Sequence, residues 1–293
     1  MRGARGTVVV LVVIALVAAG ALAGVLATRG ASPTLEQQVR DLTDRLDPDG
    51  PYRAPTPAER DAVVGAVTAL LAAGSDGQVH RGVLEAAGFA VGTARSAAGV
   101  DYLVARSDPA SQRSWGLIAL PLDRPPRLLV EVPHPNADLA TEEVGLAVLA
   151  ARPDAVYLQA GAHRRASGER ADVAHEEDSL FHALAVELST RLGLPQLQLH
   201  GFAERADLDA DVVLGGGPDD PAPPVVELAD RLEAAGLQVC RAWAQRCSRL
   251  EGRTNVQGRA AARDGLPFAH VEMSAPVRRR PDRVAPVLAA FGA

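Results

Sequence analysis

Short apolar runs alternate with longer amphipathic stretches along most of this 293-residue chain, and this alternation limits its fold more than any other feature. Strands that alternate with helices are typical of an α/β protein, whose helices cover both faces of a central sheet. We predict strands at residues 89–93, 101–106, 115–122, 127–132, 155–159, 197–200, 210–214, 238–242 and 269–273. We predict helices at residues 57–73, 78–87, 141–151, 179–191, 224–235 and 283–291. The expected fold is a three-layer α/β/α arrangement with a central mixed sheet, preceded by one N-terminal transmembrane helix.

Composition limits the classes of partner. The net charge is −6, every basic residue is an arginine, and no basic stripe with interleaved aromatic residues occurs. We therefore do not expect a nucleic-acid partner. With 47% hydrophobic residues, a chain of this length can bury an ordinary core. The run Arg278-Arg279-Arg280 is interpreted as a solvated loop.

The N-terminus carries an export signal. Arg2 and Arg5 precede an uncharged apolar run from Thr7 to Thr28, which Arg29 follows. At about 1.5 Å per residue, a helix of this length crosses a bilayer core of roughly 30 Å. The leading arginines favour a cytoplasmic N-terminus and an exported body. Residues 1–29 are thus a signal anchor, or a signal peptide cleaved near Ala21-Leu-Ala23; the anchor is favoured because the apolar run continues past that position.

A region rich in proline and glycine, which interrupt helices and strands, separates this segment from the rest of the chain. Residues 30–57 combine a charged amphipathic stretch with Asp-Pro-Asp-Gly-Pro and Ala-Pro-Thr-Pro, and we interpret them as a tether. Thr56 and Glu59 then have the spacing of a capping box around Pro57. One globular domain at residues 58–293 is the simplest division of the remaining chain.

The two cysteines fit an exported protein. Cys240 and Cys247 lie seven residues apart, which in an oxidising compartment favours a small disulfide over a metal site. On one continuous helix the two residues would lie about 10 Å apart along the axis, too far to bridge. The predicted disulfide therefore requires a loop or hairpin between them.

Three predicted strands end on metal-ligand residue types. His134 follows the strand at 127–132, with Asp138 four positions on, His200 ends the strand at 197–200, and Glu272 lies near the end of the strand at 269–273. A catalytic zinc site takes three protein ligands from His, Asp and Glu and leaves one coordination position open. Functional groups of α/β sheets gather beyond the carboxyl ends of the strands. We therefore predict a zinc site formed by His134, Asp138 and His200.

Two points about this ligand set stay open. Glu142 or Glu143 could replace Asp138 as the acidic ligand, although both lie further along the following helix. Asp138 could instead cap a helix that begins near Leu139.

Glu272 is the one carboxylate in the predicted strand at 269–273, whose pattern is otherwise typical of a central strand. A buried carboxylate without a partner costs several kcal/mol, so a cationic or hydrogen-bonding group should face it. A zinc site would meet this requirement, with Glu272 as general base; the alternative is a structural pair with an arginine.

Four motifs together resemble the zinc carboxypeptidase-like superfamily. They are His134 with a nearby acid, Leu199-His200-Gly201, Asn255-Val-Gln-Gly-Arg259 and Val271-Glu272-Met-Ser. The similarity is closest to its poly-gamma-glutamate hydrolase and N-formylglutamate amidohydrolase branches. This resemblance implies an α/β/α fold and zinc-dependent amide hydrolysis. The first motif differs from the carboxypeptidase pattern, because Ala137 stands where those enzymes carry the acid.

Several polar residues are candidates for the substrate pocket. Asn255 and Arg259 lie in a predicted loop where the resembling families keep substrate-binding residues, and Arg164 follows the strand at 155–159. An arginine fork matches a substrate carboxylate in a bidentate pair. Asp172 and His175 precede a helix capped by Asp178 or Ser179, and we expect them to shape the pocket or orient a metal ligand. His80 and His270 have no companions and are interpreted as ordinary.

The sequence therefore predicts a membrane-tethered, extracytoplasmic, zinc-dependent hydrolase of amide or peptide bonds. The expected substrate is a peptide or amide, for example one derived from the cell envelope, with a carboxylate held by Arg259 or Arg164. The alternative is a catalytically silent envelope protein that binds a ligand in the same cleft. A serine hydrolase is disfavoured because no Gly-x-Ser-x-Gly elbow occurs.

Overall fold

A computed structural model describes residues 32–73 and 77–293, and the structural statements below concern that part of the chain. Nine strands form one mixed sheet in the order β1-β2-β3-β5-β4-β6-β9-β7-β8. Their bounds are β1 Phe89–Arg95, β2 Asp101–Ser107, β3 Leu117–Pro121, β4 Leu128–Val132, β5 Ala155–Gln159, β6 Gln196–Gly201, β7 Val212–Gly215, β8 Val239–Arg241 and β9 Phe268–Met273.

Helices pack on both faces of this sheet, as predicted for a three-layer α/β fold. Their bounds are α1 Leu35–Thr43, α2 Pro57–Ala73, α3 Gln78–Ala86, α4 Thr141–Ala151, α5 Ala166–Glu169, α6 Leu180–Leu192, α7 Pro223–Ala234, α8 Val256–Asp264, α9 Ala275–Arg278 and α10 Pro281–Leu288. Helices α1, α4, α7 and α10 cover one face, and α2, α3, α6 and α8 cover the other.

The middle of the sheet is parallel. Strand β4 pairs in parallel with β5 and β6, and β6 pairs in parallel with β9. The register places His200 of β6 opposite Glu272 of β9. The carboxyl ends of β4, β6 and β9 therefore lie at one edge of the sheet, where the predicted strand-end residues meet.

One face of these central strands is polar. Because side chains alternate along a strand, Gln198 and His200 share a face of β6, and His270 and Glu272 share the same face of β9. Glu131 of β4 pairs with Gln198 and continues this row. On this face, the polar row lies between the large apolar cluster under α6 and a smaller apolar cluster around Phe202, Val213 and the cysteines. The opposite face of the same strands is apolar.

All nine predicted strands are confirmed, with bounds that differ only at the ends. The largest difference from the predicted elements lies at Asn255 to Arg259, which we predicted as a loop and which instead begins helix α8. Gly258 discourages a helix prediction, yet a Cβ at this position would lie 2.8 Å from the Phe268 ring. Glycine is therefore needed here for close packing of α8 against β9.

Residues 34–57 belong to the body. They fall in the same compact unit as the rest of the domain, which spans Thr34–Ala293, so the tether interpretation does not hold for them. Leu35, Val39 and Leu42 of α1 are buried in the core. The predicted capping box is present, because Glu59 N–H donates to Thr56 Oγ1 and Thr56 N–H donates to the Glu59 carboxylate.

The predicted transmembrane helix lies outside the described residues. Among residues 32–73 and 77–293, no helix is both long and apolar enough to span a membrane. The predicted disulfide is confirmed: Cys240, the middle residue of β8, bonds to Cys247 across a turn, with 5.9 Å between the two Cα atoms.

Arg278 is buried, contrary to the solvated loop expected for the run at 278–280. Its side chain donates to the carbonyl oxygens of Leu139 at 2.6 Å and Phe202 at 3.2 Å, and also to that of Met273. These acceptors lie in the segments at the ends of β4, β6 and β9 respectively. Arg278 thus ties together the three chain segments that carry the predicted strand-end residues, a role that a run of like charges does not reveal.

Candidate metal centre

A tight turn after β4 brings Asp138 back to His134. The N–H groups of Ala137 and Asp138 both donate to the His134 carbonyl, at 3.1 and 2.9 Å. Asn136 adopts a left-handed conformation with φ of 62° and donates its side-chain amide to the Leu46 carbonyl at 2.9 Å. As a result, Oδ2 of Asp138 lies 3.1 Å from Nδ1 of His134. Asp138 is not a helix cap, because α4 begins at Thr141.

His200 completes this arrangement from the next strand. Its Nδ1 atom lies 3.1 Å from the same Oδ2 atom of Asp138, and its ring centroid lies 4.9 Å from that of His134. All three side chains are buried, and their donor atoms lie within 4.8 Å of one another. The structure therefore brings together the three residues predicted as metal ligands.

The second ring nitrogen, Nε2, of each histidine also has a polar partner. Nε2 of His134 lies 2.8 Å from Oδ1 of Asp172, and Nε2 of His200 lies 2.7 Å from Oε1 of Gln198. A histidine that gives its second N–H to a carboxylate or carbonyl has its ring orientation and tautomer fixed, as metal-binding histidines commonly do. Both imidazoles thus direct Nδ1 towards the Asp138 carboxylate. Three lone-pair donors around one point fit a divalent cation such as Zn²⁺.

The electrostatics of the cluster favour charge on Asp138. Burial opposes its ionisation, but the hydrogen bond that His134 donates and the positive charge of the protonated His134 ring hold the pKa of its carboxyl well below its usual range. Burial also works against a charged His134, but its hydrogen bonds to Asp138 and Asp172 outweigh burial and raise its pKa. For His200, burial dominates and lowers the pKa to about 4. The His200 imidazole is thus neutral at physiological pH and has a lone pair to offer, which is the form that binds metals.

The Glu272 carboxyl lies beside one of the three donors, His200. It is nearly buried, and its Oε2 atom has no hydrogen-bond partner within the described residues. Burial, with the nearby negative charge of Asp138, raises the pKa of Glu272 to about 8. A cation at the His134–Asp138–His200 point would offset both effects, since an opposite charge stabilises the carboxylate. No arginine pairs with Glu272 in the described part of the chain.

His270 belongs to the same cluster, contrary to the expectation that it is an ordinary residue. Its ring lies 4.4 Å from that of His200, and it forms a second group of possible donors with His200 and Glu272. The backbone of Gly252 packs against it, since a Cβ there would lie 2.6 Å from Cγ of His270. The signal for His270 is its spacing: residues two apart on a strand share a face, so His270 accompanies Glu272.

A cleft of about 420 Å³ opens onto the donors. Among the residues lining it are Arg164, Arg249 and Arg253. Arg164 donates to Oδ2 of Asp172 at 2.5 Å, and its Nη1 lies 3.3 Å from Nδ1 of His134. Arg253 donates to the Ala242 carbonyl at 3.0 Å. The exposed guanidinium of Arg249 makes no hydrogen bond or ion pair with the described residues, so it is available to an anionic ligand.

Two predicted substrate-binding residues have other positions. Arg259 lies on the exposed side of α8 and does not line the cleft. Asn255 is the N-cap of α8: its Oδ1 accepts from Gly258 N–H at 3.0 Å, and its Nδ2 donates to Gln198. Both polar ends of Asn255 are therefore already engaged. Arg249, on the loop after the disulfide, is not among the predicted residues, because nothing in its sequence context distinguishes it from the other arginines.

The remaining predicted residues lie at the edge of the centre. Asp172 holds His134, and His175 contacts Oδ1 of Asp172 through Nδ1 at 3.1 Å, as expected for a residue that orients a ligand. Glu143 forms a bidentate pair with Arg40 at 2.5 and 2.8 Å. Glu142 is not part of either donor group. Of the three acids considered, Asp138 is the one beside both histidines.

Neither a family model nor a curated protein sequence matches this chain. Solved structures with a related backbone include a gene product from Agrobacterium tumefaciens, with TM-score 0.42, 12% identity, and coverage of 70% of this chain and 91% of that chain. A metallo-carboxypeptidase from Burkholderia cenocepacia has TM-score 0.39, 11% identity, and coverage of 73% and 67%. An aspartoacylase family protein from Mesorhizobium loti has TM-score 0.38, 12% identity, and coverage of 71% and 68%.

A metallo-carboxypeptidase is thus among the proteins to which this backbone is similar. With TM-scores below 0.5, the likenesses assign no activity to this chain. The function proposed below therefore rests on the side chains of the cleft.

Proposed function

We propose that this protein is a zinc-dependent hydrolase of amide or peptide bonds. The observation that carries the proposal is the approach of two Nδ1 atoms, from His134 and His200, to one oxygen of Asp138 at 3.1 Å each. Three buried electron-pair donors around one point are unfavourable without a cation or a proton between them. Two imidazoles and a carboxylate are a common ligand set for a catalytic zinc.

Each residue of the centre then has a role. When bound, zinc supplies Lewis-acid polarisation of a carbonyl group and lowers the pKa of water. His134, Asp138 and His200 would hold the ion, and Asp172 and Gln198 keep the imidazoles oriented towards it. Glu272 takes the proton of the attacking water and passes it to the leaving amine, as a general base and then a general acid. Its burial next to the donors, without a competing hydrogen bond at Oε2 from the described residues, supports this role.

The cleft favours an anionic substrate. Arg164 is positioned at its inner end by Asp172, and Arg249 has a free guanidinium on the loop after the disulfide, among the described residues. A planar guanidinium pairs with a carboxylate through two parallel hydrogen bonds. We therefore expect an amide or peptide with a free carboxylate, such as a peptide C-terminus, a glutamyl amide or a cell-wall peptide. This local positive charge stands in contrast to the net charge of −6.

The location proposed for this activity is extracytoplasmic. Support comes from the apolar run at Thr7 to Thr28 and from the disulfide between Cys240 and Cys247, which is typical of oxidising compartments. In this proposal the segment 1–29 anchors the enzyme in the membrane, or is removed on secretion.

The proposed function is tested by combining metal analysis with a hydrolysis assay. The full-length protein is incubated with Zn²⁺, freed of excess metal, and assayed against acyl amino acids, glutamyl amides and short peptides. We expect hydrolysis that stops on chelation and returns with zinc. Bound zinc without hydrolysis of any of these substrates would favour a silent ligand-binding protein, and a folded protein that binds no zinc would contradict the centre itself.

A further inference from the structure

A buried glutamine contacts the side of the His200 ring that faces away from the proposed metal position. Gln198 lies two residues before His200 on β6, so both side chains project from the same face of the sheet. The residue is fully buried. Its amide oxygen Oε1 lies 2.7 Å from Nε2 of His200. Which atom of this amide faces the imidazole determines which tautomer His200 adopts.

Two acceptors fix the nitrogen end of the Gln198 amide. Nε2 of Gln198 lies 2.7 Å from Oε2 of Glu131 and 3.2 Å from Oε1 of Gln257. The Gln257 amide is itself oriented, because its Nε2 donates to the Val173 carbonyl at 2.9 Å. If Gln198 were flipped, its oxygen would face the oxygen of Gln257, whose amide is held in place by Val173, and this is unfavourable in a buried site.

A donor fixes the oxygen end. Asn255 caps helix α8 with its Oδ1, which accepts the N–H of Gly258 at 3.0 Å, and this leaves Nδ2 of Asn255 directed at Gln198. Nδ2 of Asn255 lies 2.5 Å from Oε1 of Gln198. Independent contacts at both ends of the amide therefore agree that the Gln198 oxygen faces His200.

The tautomer of His200 follows from this orientation. Facing an amide oxygen, Nε2 of His200 has to carry a hydrogen, and a neutral imidazole carries only one. Nδ1 consequently presents its lone pair towards Asp138 and the proposed metal position. Since ligand-orienting partners of this kind typically change metal affinity by about 10- to 100-fold, the contact has a measurable consequence.

We propose that Gln198 is a positioning residue of the metal centre, which fixes the His200 imidazole as the Nε2–H tautomer and so presents Nδ1 as a metal donor. Glu131, Asn255 and Gln257 act through Gln198 by holding its amide in one orientation. This inference rests on the proposed metal centre for its effect on affinity. The tautomer itself is a property of the metal-free protein and is testable whether or not zinc binds.

The chain offers a matched control in Gln196. It lies on the same strand and the same face as Gln198, is 1% exposed, and has no contact with His200. Zinc dissociation constants are measured by chelator competition for the wild-type protein, Gln198→Met and Gln196→Met, with thermal unfolding as a check on folding. We expect Gln198→Met to weaken zinc binding about 10- to 100-fold and Gln196→Met to leave it within about threefold.

Equal affinities for the wild type, Gln198→Met and Gln196→Met would overturn the proposal. In parallel, nitrogen-15 NMR of the histidine side chains reports the His200 tautomer in the metal-free wild-type protein. An Nε2–H tautomer supports the assignment even if Gln198→Met fails to fold, and an Nδ1–H tautomer overturns it.

Discussion

Nδ1 of His200 lies 3.1 Å from Oδ2 of Asp138, although the two residues are 62 positions apart in the sequence. His134 makes the same contact from within the Asp138 turn. One carboxylate oxygen therefore joins the end of β6 to the loop after β4. This pair of contacts outlines the proposed zinc site, and the consequences below follow from it.

Asp138 is expected to be the acidic metal ligand. Asp138→Asn removes the charge that attracts the cation while keeping the side-chain shape, so zinc affinity should fall by at least about 10-fold. Glu143→Gln is the control, because Glu143 pairs with Arg40 at the surface. Chelator competition measures both variants. Loss of zinc in Glu143→Gln with retention in Asp138→Asn would reverse the assignment.

Glu272 is expected to serve the chemistry without being required for metal binding. Glu272→Gln keeps the size of the side chain but cannot accept the proton of the attacking water. We expect hydrolysis to fall about 10²- to 10⁴-fold, the range typical of a lost general base, while bound zinc per chain stays unchanged. Single-turnover kinetics and metal analysis on the same sample test this. A variant that loses its zinc would show that Glu272 is itself a metal ligand.

Arg249 is expected to bind the substrate carboxylate. Its guanidinium, unpaired among the described residues, lines the cleft, whereas Arg259 lies on the exposed side of α8. Arg249→Gln should therefore raise KM for a carboxylate-bearing substrate about 10-fold or more, since a charge-assisted pair contributes roughly 1.5–3 kcal/mol. Arg259→Gln should leave KM unchanged. Steady-state kinetics with matched carboxylate and amide substrates decides the point, and equal effects of the two variants would contradict it.

Glu131 is expected to make the metal-free protein less stable as the pH rises. Burial raises the pKa of Glu131 to about 8, against about 4.3 in an unfolded chain. Between these values the unfolded chain has released the proton and the folded chain still holds it, so the free energy of unfolding falls with increasing pH. Each pH unit in this interval costs up to about 1.4 kcal/mol.

The measurement for Glu131 is denaturant unfolding from about pH 5 to pH 8, the interval between its two pKa values, with chelator present. Glu272 also has a raised pKa and His200 a lowered one, so the wild-type curve contains the titration of all three groups. Glu131→Gln removes one of them and should show a smaller decline over the interval. Wild-type and variant curves that run parallel would mean that Glu131 does not titrate abnormally.

The sequence is sufficient to predict the parts of the site that lie at strand ends. His134, His200 and Glu272 each interrupt or end an apolar run, and parallel strands bring such ends to one edge of the sheet. Gln198 and His270 are not among the predicted residues, although their two-residue spacing from His200 and Glu272 is visible in the sequence. The alternation of side chains within each strand is the signal that identifies them.

Other features depend on contacts between distant segments. Asp172 reaches His134 from a loop 38 residues away, and the ionisable residues around it predict a role near the site but not that this carboxylate contacts His134. Helix α8 is not predicted because Gly258 is a poor helix residue, and the Phe268 ring that requires it lies on another strand. Arg278 belongs to a run of charges typical of solvent, yet its side chain is buried against three backbone carbonyls.

The central claim is tested most directly by counting zinc in the full-length protein, in His134→Ala and in His200→Ala, with thermal unfolding to confirm that all three are folded. We predict about one zinc per wild-type chain and little or none in either variant, because each removes one of three protein ligands. A folded wild-type protein that takes up no zinc on reconstitution, or variants that keep a full complement, would contradict the claim.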